Sequence, residues 1–375
     1  MKRREFLTLA GVAGIAATTL SGCGSETDRQ PAAGAQSGPT AAKPIRWKLI
    51  TAWPKNFPGL GTGANKMARY ITEMSGGRLV VDVYGAGEIV PALEVFDAVK
   101  AGTAQMGHSS AYYWQGKMPA AAFFSAFPFG LTVDEMNGWL HYGDGIRLWE
   151  ELYAPHGIIP RPAGNTGPQM AGWFRKPIDS LDDLKGLKMR LPGIGGEVLR
   201  RLGVSVVNTP GGELFQALND GTIDAAEWVG PFNDLAFGFH RAAKYYYAPG
   251  WQEPSAAMEA LINREAFKAL PDDLQLIVEG AISMASGEMQ AEFTARNNQA
   301  LKTLTEEHGV ELRYFSAEIM QALFDQSNEV LAEITSRDAF AKRVFDSLTA
   351  YRRDVAEWTE RSEFAFLEAR QRLLD

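Results

Sequence analysis

Residues 180–234 read SLDDLKGLKMRLPGIGGEVLRRLGVSVVNTPGGELFQALNDGTIDAAEWVGPFND, and this stretch decides the fold class. Ser180 with an acid three residues later is a typical helix start, and residues 187–191 then alternate apolar and polar side chains as a strand does. Helical and strand patterns continue to alternate up to residue 229. This order predicts a parallel sheet with right-handed crossovers, and therefore an α/β fold.

Two charged residues fall at the carboxyl ends of the predicted strands. Arg190 lies just before the Pro192 that ends one strand, and Glu227 lies near the end of a later strand. Open α/β sheets bind ligands beyond these ends. Arginine binds a carboxylate through two parallel hydrogen bonds and keeps its charge, which favours an anion site at Arg190. The alternative, from residue type alone, is an arginine that is solvated or paired at the surface.

This segment closely resembles the solute-binding subunits of TRAP transporters, the tripartite ATP-independent periplasmic systems, in their 2-oxo acid branch. The resemblance covers roughly residues 44–310. Its motifs are GNTGPQMAGWF from residue 164, GLKM from 186, DAAEWVGPFND from 224 and YYYAPGWQEP from 245. It implies a two-domain periplasmic solute-binding protein fold with hinge-crossing segments. Leu191 and Gln252 depart from the family pattern. They do not change the kind of site that the resemblance implies, but they leave the exact substrate open.

The resemblance also implies a ligand set. Arg190 would hold the ligand carboxylate, while Gln169, Glu227 and Glu253 would bind a metal ion together with the main-chain carbonyl of Trp228. A set of oxygen ligands without Cys or His suits Na⁺ or Ca²⁺ rather than zinc or copper. A cation also has a physical reason to be there, since two carboxylates beside an anionic ligand would otherwise repel it.

Other side chains are candidates for the wall of the ligand site. Aromatic residues are as often core as pocket, but Trp53, Tyr112 and Tyr113 come just past strand ends and are favoured as substrate contacts, as is Trp228. Two amides are candidate hydrogen-bond donors to the ligand, Asn165 and Asn208. The five histidines have no metal-ligand spacing and are expected to be structural or surface residues.

The function predicted from these residues is capture of a small 2-oxo monocarboxylate such as pyruvate, with no chemistry on the ligand. Lactate and other organic acids remain open, and so does an enzyme acting on small carboxylic acids, because GHSSA at 107–111 approaches a nucleophile elbow but ends in Ala. The resemblance supplies the partners, a small and a large integral membrane subunit. A net charge of −8 argues against a nucleic-acid partner.

The N-terminus is expected to direct export to the periplasm. Residues 1–23 combine a twin-arginine pattern at Arg3 and Arg4 with a short apolar stretch, and Cys23 sits in a lipobox-like sequence. Lipid attachment at Cys23 and a plain cleaved signal are both open. Residues 24–44 are rich in Ala, Gly, Ser, Gln and Pro and are expected to be a flexible tether.

The body of the chain is expected to form two α/β domains and a helical extension. Domain I spans 44–163 and about 250–300, domain II spans 164–249, and residues 301–375 form C-terminal helices. One amphipathic helix is predicted at 132–153, a second sheet near Ile158, and almost continuous helix from residue 271. The apolar face of 316–375 could pack on its own chain or on a second copy, and the resemblance favours a homodimer.

Overall fold

The computed structural model describes residues 43–374, which form one compact unit. The predicted export signal, Cys23 and nearly all of the predicted tether lie outside these residues. No helix in the described part of the chain has the length and apolarity that a membrane crossing requires.

The strands of the described residues are short and come from the whole length of the chain. In chain order they are β1 (Ile45–Thr51), β2 (Leu79–Tyr84), β3 (Met106–Ser109), β4 (Ile158–Asn165), β5 (Gly172–Phe174), β6 (Lys188–Arg190), β7 (Ser205–Val207), β8 (Ala225–Ala226), β9 (Tyr245–Ala248), β10 (Ala257–Asn263) and β11 (Glu311–Tyr314).

The helices of the described residues cover the sheets and form the C-terminal extension. They are α1 (Leu60–Met74), α2 (Val95–Lys100), α3 (Val133–Tyr142), α4 (Gly145–Tyr153), α5 (Gly193–Arg201), α6 (Gly211–Asn219), α7 (Pro231–Phe237), α8 (Arg264–Lys268), α9 (Asp272–Lys302), α10 (Ala317–Arg337), α11 (Ala339–Thr359) and α12 (Ala365–Leu374).

The strands form two mixed sheets, in the orders β2-β1-β3-β10-β4 and β11-β9-β5-β8-β6-β7. We call residues 45–165 and 257–302 the first lobe, and residues 172–248 and 311–314 the second lobe. Two crossing segments join the lobes, residues 166–171 and residues 249–256. The fold is therefore the mixed α/β, two-sheet architecture with crossing segments that the sequence predicts.

The second lobe confirms the local pattern of residues 180–234. Strand β6 pairs in parallel with both β7 and β8, so the ends of β6 and β8 meet at one edge. Ser180 and Asp183 form the expected capping box, although the helix they begin is a short 3-10 turn, Leu181–Leu184. Strand β8 ends at Ala226, earlier than the strand pattern that continues to residue 229, because residues 227–230 turn away to begin α7.

Three predictions about secondary structure were wrong. The helix at 132–153 is two helices, since Gly143 takes an extended conformation (φ −96°, ψ −153°) between α3 and α4. The strand near Ile158 does not begin a second sheet: β4 pairs antiparallel with β10 in the first. Strand β11 was missed inside a region predicted to be helical, and it extends the second sheet by pairing with β9.

The C-terminal helices pack on their own chain along most of their length. Helix α10 lies on α5 in the second lobe, with Leu323 and Val330 buried, and α11 lies on α3, α4 and residues 119–124 in the first lobe. Arg343 makes a bidentate ion pair with Glu151, with both N–O distances at 2.9 Å. Helix α12 has no buried residue. Folding back on the same chain therefore covers much of the apolar face of α10 and α11, whereas Trp358 near the end of α11 and the face of α12 stay exposed.

Candidate cation and anion site

The site forms where the two strand ends and the two crossing segments meet. Arg190 is the last residue of β6, and Glu227 follows β8 directly, with its N–H donating to the Arg190 carbonyl at 3.1 Å. Gln169 and Glu253 come from different crossing segments, which are joined by a hydrogen bond from Gln169 N–H to the Glu253 carbonyl at 3.2 Å. Four residues from three distant parts of the sequence are thus held by backbone hydrogen bonds.

Arg190 is a buried cation, with 1% of its surface exposed. Its Nη1 donates to the Glu227 carbonyl at 2.5 Å and to Glu227 Oε2 at 3.3 Å, and its Nε donates to the Thr209 carbonyl at 3.3 Å. The guanidinium also lies 5.0 Å from the ring centre of Trp228. Within residues 43–374 no hydrogen bond engages Nη2, so one arm of the fork is available to an anion.

Two buried carboxylates share the site with this one arginine. Glu227 is 0% and Glu253 3% exposed. Burial raises the pKa of both; for Glu227 the nearby Glu253 carboxylate raises it further, while Arg190 lowers the pKa of each. One guanidinium cannot neutralise two buried acids, so a bound cation would stabilise the charged pair.

Several buried oxygen atoms in the site have no hydrogen-bond partner. They are Glu227 Oε1, Glu253 Oε2, Gln169 Oε1 and Gln252 Oε1. The Gln169 amide is fixed from its other end, where Nε2 donates to Thr166 Oγ1 at 3.1 Å. Buried polar atoms are nearly always paired, so a cluster of orphaned acceptors fits a hard cation that binds oxygen. No group of three or more His, Cys, Asp or Glu residues forms a metal cluster in the described chain, so a cation here would rely on amide and main-chain oxygens as well.

The loop that carries Glu227 also presents a free main-chain carbonyl. The Glu227 carbonyl accepts from Arg190, and the Val229 carbonyl accepts from the Met170 N–H at 3.0 Å. Between them, the Trp228 carbonyl accepts no hydrogen bond from the described residues. This is the carbonyl that the resemblance implies as a ligand, and it is free for that role.

Aromatic rings from both lobes enclose this cluster. Trp53 and Phe57 of the first lobe contact Trp228 of the second edge-on, with ring centres 6.3 Å apart in each pair. Tyr112 is 6% exposed, its ring is 4.8 Å from that of the less buried Tyr113, and the Tyr113 ring is 6.4 Å from that of Trp53. Burial raises the pKa of both tyrosines, while the charge of Arg190 lowers it. The predicted aromatic candidates therefore lie together.

The two candidate amides differ in position. Asn165 is 2% exposed; its Oδ1 accepts from the Gly167 N–H at 2.9 Å, and its Nδ2 has no partner. Asn208 follows the edge strand β7 and is exposed. The structure thus brings Asn165 into the buried region and leaves Asn208 at its margin.

Sequence reasoning did not single out three residues that shape the site. His108 on β3 accepts from the Trp53 indole at 2.7 Å and shares a 3.1 Å hydrogen bond with the Ala163 carbonyl, which fixes the orientation of Trp53. A Cβ on Gly211 would meet the Trp228 ring at 2.3 Å, so only glycine admits the indole there. Asp234 holds the loop that follows Glu227. These roles depend on tertiary contacts, although Asp234 lay within a family motif and His108 within the GHSSA segment.

Comparison with known proteins assigns the chain to a family. The model of bacterial extracellular solute-binding proteins, family 7, matches residues 51–338. The chain belongs to this family. It is 42% identical over 366 residues to a monocarboxylate 2-oxoacid-binding periplasmic protein of Nostoc sp., covering 98% of each chain.

Two solved structures of TRAP periplasmic solute-binding proteins resemble the family member described here. The protein of Pseudoalteromonas atlantica, with bound sodium and pyruvate, is 44% identical with a TM-score of 0.85, over 87% of this chain and 99% of its own. The protein of Colwellia psychrerythraea, with bound calcium and pyruvate, is 42% identical with a TM-score of 0.85, over 87% of this chain and 100% of its own.

Proposed function

We propose that this protein is the periplasmic receptor of a TRAP transporter, which captures a small 2-oxo monocarboxylate of the pyruvate type together with Na⁺ or Ca²⁺. The observation that carries the proposal is the cluster of a buried cation, Arg190, with the buried oxygens of Glu227, Glu253 and Gln169 that have no hydrogen-bond partner. Family membership and the pyruvate and cation bound by the two similar structures support it.

The charges of the site favour one carboxylate on the ligand. Arg190 is the one Lys or Arg side chain among residues 43–374 that is fully buried, so a second buried carboxylate on the ligand would have no cationic side chain of its own. The 2-oxo group adjoins the carboxylate in these acids, so the 2-oxo oxygen and one carboxylate oxygen can face the same cation. The aromatic enclosure favours a short chain.

We further propose that ligand binding closes the two lobes by a hinge at the crossing segments. Contacts between the lobes surround the site: Asn233 Nδ2 donates to the Pro58 carbonyl at 2.9 Å, Gln115 Nε2 donates to the Gly193 carbonyl at 3.3 Å, and Phe57 stacks on Phe237 at 4.2 Å. Because Arg190 and both acids are buried in this conformation, a ligand needs the lobes to part before it can enter.

A thermal-shift panel of small acids tests the receptor function. Pyruvate, lactate, branched 2-oxo acids and a dicarboxylate would each be added to metal-loaded protein and to protein treated with chelator in a buffer free of Na⁺. We expect pyruvate-like acids to raise the unfolding temperature only when Ca²⁺ or Na⁺ is present, because ligand that binds the folded state alone stabilises it. The same shift in chelated protein, or none for any monocarboxylate, would refute the proposal.

The family is one of solute-binding receptors, and we propose that this member performs no chemistry on its ligand. The GHSSA segment offers little support for an enzyme, since both ring nitrogens of His108 are engaged by Trp53 and Ala163 and not by Ser109. Incubation of the protein with labelled pyruvate should return the acid unchanged. Catalytic conversion beyond one equivalent of protein would favour the enzyme instead.

We also propose a homodimer that hands its ligand to a small and a large integral membrane subunit. Exposed aromatic residues near the C-terminus support self-association, with Trp358 71%, Phe364 61% and Phe366 63% exposed. Light scattering of the intact protein should give a dimeric mass, and a chain ending at residue 357 should be monomeric. A monomeric mass for the intact chain at micromolar concentration would refute this part.

A further inference from the structure

Asp234 is a buried acid that the proposed ligand set does not include. It lies in α7 with 1% of its surface exposed. Its Oδ2 accepts from the Trp173 indole at 2.9 Å and from the Tyr246 hydroxyl at 2.6 Å. Trp173 on β5 and Tyr246 on β9 are paired across the sheet, and their rings stack at 4.1 Å. Two neighbouring strands therefore fix one carboxylate oxygen of Asp234.

The other carboxylate oxygen reaches the loop that follows Glu227. Oδ1 accepts from the Val229 N–H at 3.4 Å, the longest of the three contacts. All three donors use Asp234 as an acceptor, so its carboxylate already has partners where the four orphaned oxygens of the site have none. Asp234 is consequently placed to hold the loop rather than to bind a cation.

The peptide plane carries this constraint to the Trp228 carbonyl. The Val229 N–H and the Trp228 C=O belong to one planar trans unit and point in opposite directions. When Asp234 holds the N–H, the Trp228 carbonyl must point away from Asp234. The neighbouring carbonyls of Glu227 and Val229 are engaged by Arg190 and Met170, so the orientation of this unit is fixed on both sides.

We propose that Asp234 is a positioning residue of the cation site, which holds the Trp228–Val229 peptide so that the free Trp228 carbonyl faces the same cation as Glu227. This inference rests on the proposed function. Groups outside the direct ligand set that orient metal ligands typically change metal affinity by about 10- to 100-fold when removed.

The test compares substitutions that keep or remove the acceptor for Val229. Ca²⁺ affinity is measured by calorimetry in saturating pyruvate for wild type, Asp234→Ala and Asp234→Asn. Asn keeps an oxygen that can accept from the Val229 N–H, but its NH₂ group then faces the indole N–H of Trp173, and two donors cannot pair. The double variant Asp234→Asn with Trp173→Phe removes the indole donor. We expect at least about a tenfold loss for Ala and recovery toward the wild-type affinity in the double variant.

A second readout reports positioning without any cation. In metal-stripped protein, hydrogen exchange at the Val229 amide should be protected in wild type and in the double variant, and should become fast in Asp234→Ala. Glu259→Gln is the matched control, because Glu259 is a fully buried acid that also accepts from one tryptophan (Trp114) and one tyrosine (Tyr153). It should leave both the Ca²⁺ affinity and the Val229 exchange unchanged.

The outcomes separate this inference from the function on which it rests. If wild type binds neither Ca²⁺ nor pyruvate, the proposed function fails. If wild type binds both and folded Asp234→Ala keeps its Ca²⁺ affinity within twofold, the role of Asp234 is refuted. Should the alanine variant not fold, a double variant that folds but shows neither recovered affinity nor Val229 protection refutes it equally.

Discussion

Replacing Arg190 by lysine tests the anion half of the site while keeping its positive charge. The guanidinium uses Nε and Nη1 on the Thr209 carbonyl and on Glu227, which leaves Nη2 for the ligand. A lysine has a single nitrogen, and it cannot keep the Glu227 contacts and hold a carboxylate through a planar fork at the same time. The ligand should therefore lose at least one charge-assisted hydrogen bond.

The expected loss of pyruvate affinity follows from the loss of this one hydrogen bond. A hydrogen bond to a charged group contributes about 1.5–3 kcal/mol, which corresponds to a Kd for pyruvate that is roughly 10- to 100-fold higher. Arg190→Ala should lose all measurable binding. It should also destabilise the fold by about 3–5 kcal/mol, because Glu227 would remain buried without its cation. Arg190 is also among the largest fully buried side chains, so its removal affects the packing of the core.

Calorimetry with pyruvate in saturating Ca²⁺ measures the effect, and urea unfolding without ligand measures the change in stability. Arg200→Lys is the matched control, because Arg200 lies in the same lobe, is exposed and pairs with Glu197 on the surface. It should change neither quantity appreciably. A pyruvate Kd for Arg190→Lys within twofold of wild type would refute the role assigned to the fork.

Three further predictions concern the cation, the lobes and pH. Glu227→Gln and Glu253→Gln should each weaken Ca²⁺ and pyruvate binding together, since the two ligands share one site, and equally tight pyruvate binding by metal-stripped wild type would contradict this. Small-angle scattering should give a smaller radius of gyration at saturating pyruvate and Ca²⁺ than without ligand; an unchanged value would count against closure. Burial raises the pKa of Glu259 from near 4.5 to about 7. The folded state then binds more protons than the unfolded state between these values, so this group should lower the free energy of unfolding by about 3 kcal/mol as pH rises from 4.5 to 7. The free energy of unfolding of Glu259→Gln, measured with urea across this pH range, should not show this decrease. Parallel pH profiles for wild type and Glu259→Gln would show the reasoning to be wrong.

The sequence was most informative where a role depends on position within a strand. Arg190 and Glu227 were predicted at strand ends because the alternation of side chains and the glycine and proline stops are local signals. Family resemblance added Gln169 and Glu253, which no periodicity identifies. The roles of these four residues at the site remain predictions.

The features that the sequence did not predict depend on contacts between distant parts of the chain. Strand β4 has a clear strand pattern, yet its partner β10 begins about ninety residues later and decides which sheet it joins. Strand β11 has four residues, too few for a period-two signal among helices. Asn208 follows β7, an edge strand, and is exposed, and its contact with the ligand stays a prediction. Asp234 acquires its role from Trp173 and Tyr246 on other strands.

The burial of the binding cluster has a kinetic consequence for transport. Arg190, Glu227 and Glu253 are all at least 97% buried, so a captured acid has no direct path to solvent in this conformation. Under the proposed hinge closure, its residence time is governed by how often the lobes separate, and the hydrogen bond from Asn233 to the Pro58 carbonyl would slow that separation without touching the ligand. A membrane subunit that separates the lobes would set the rate at which the acid is released to it, however tightly the acid is bound.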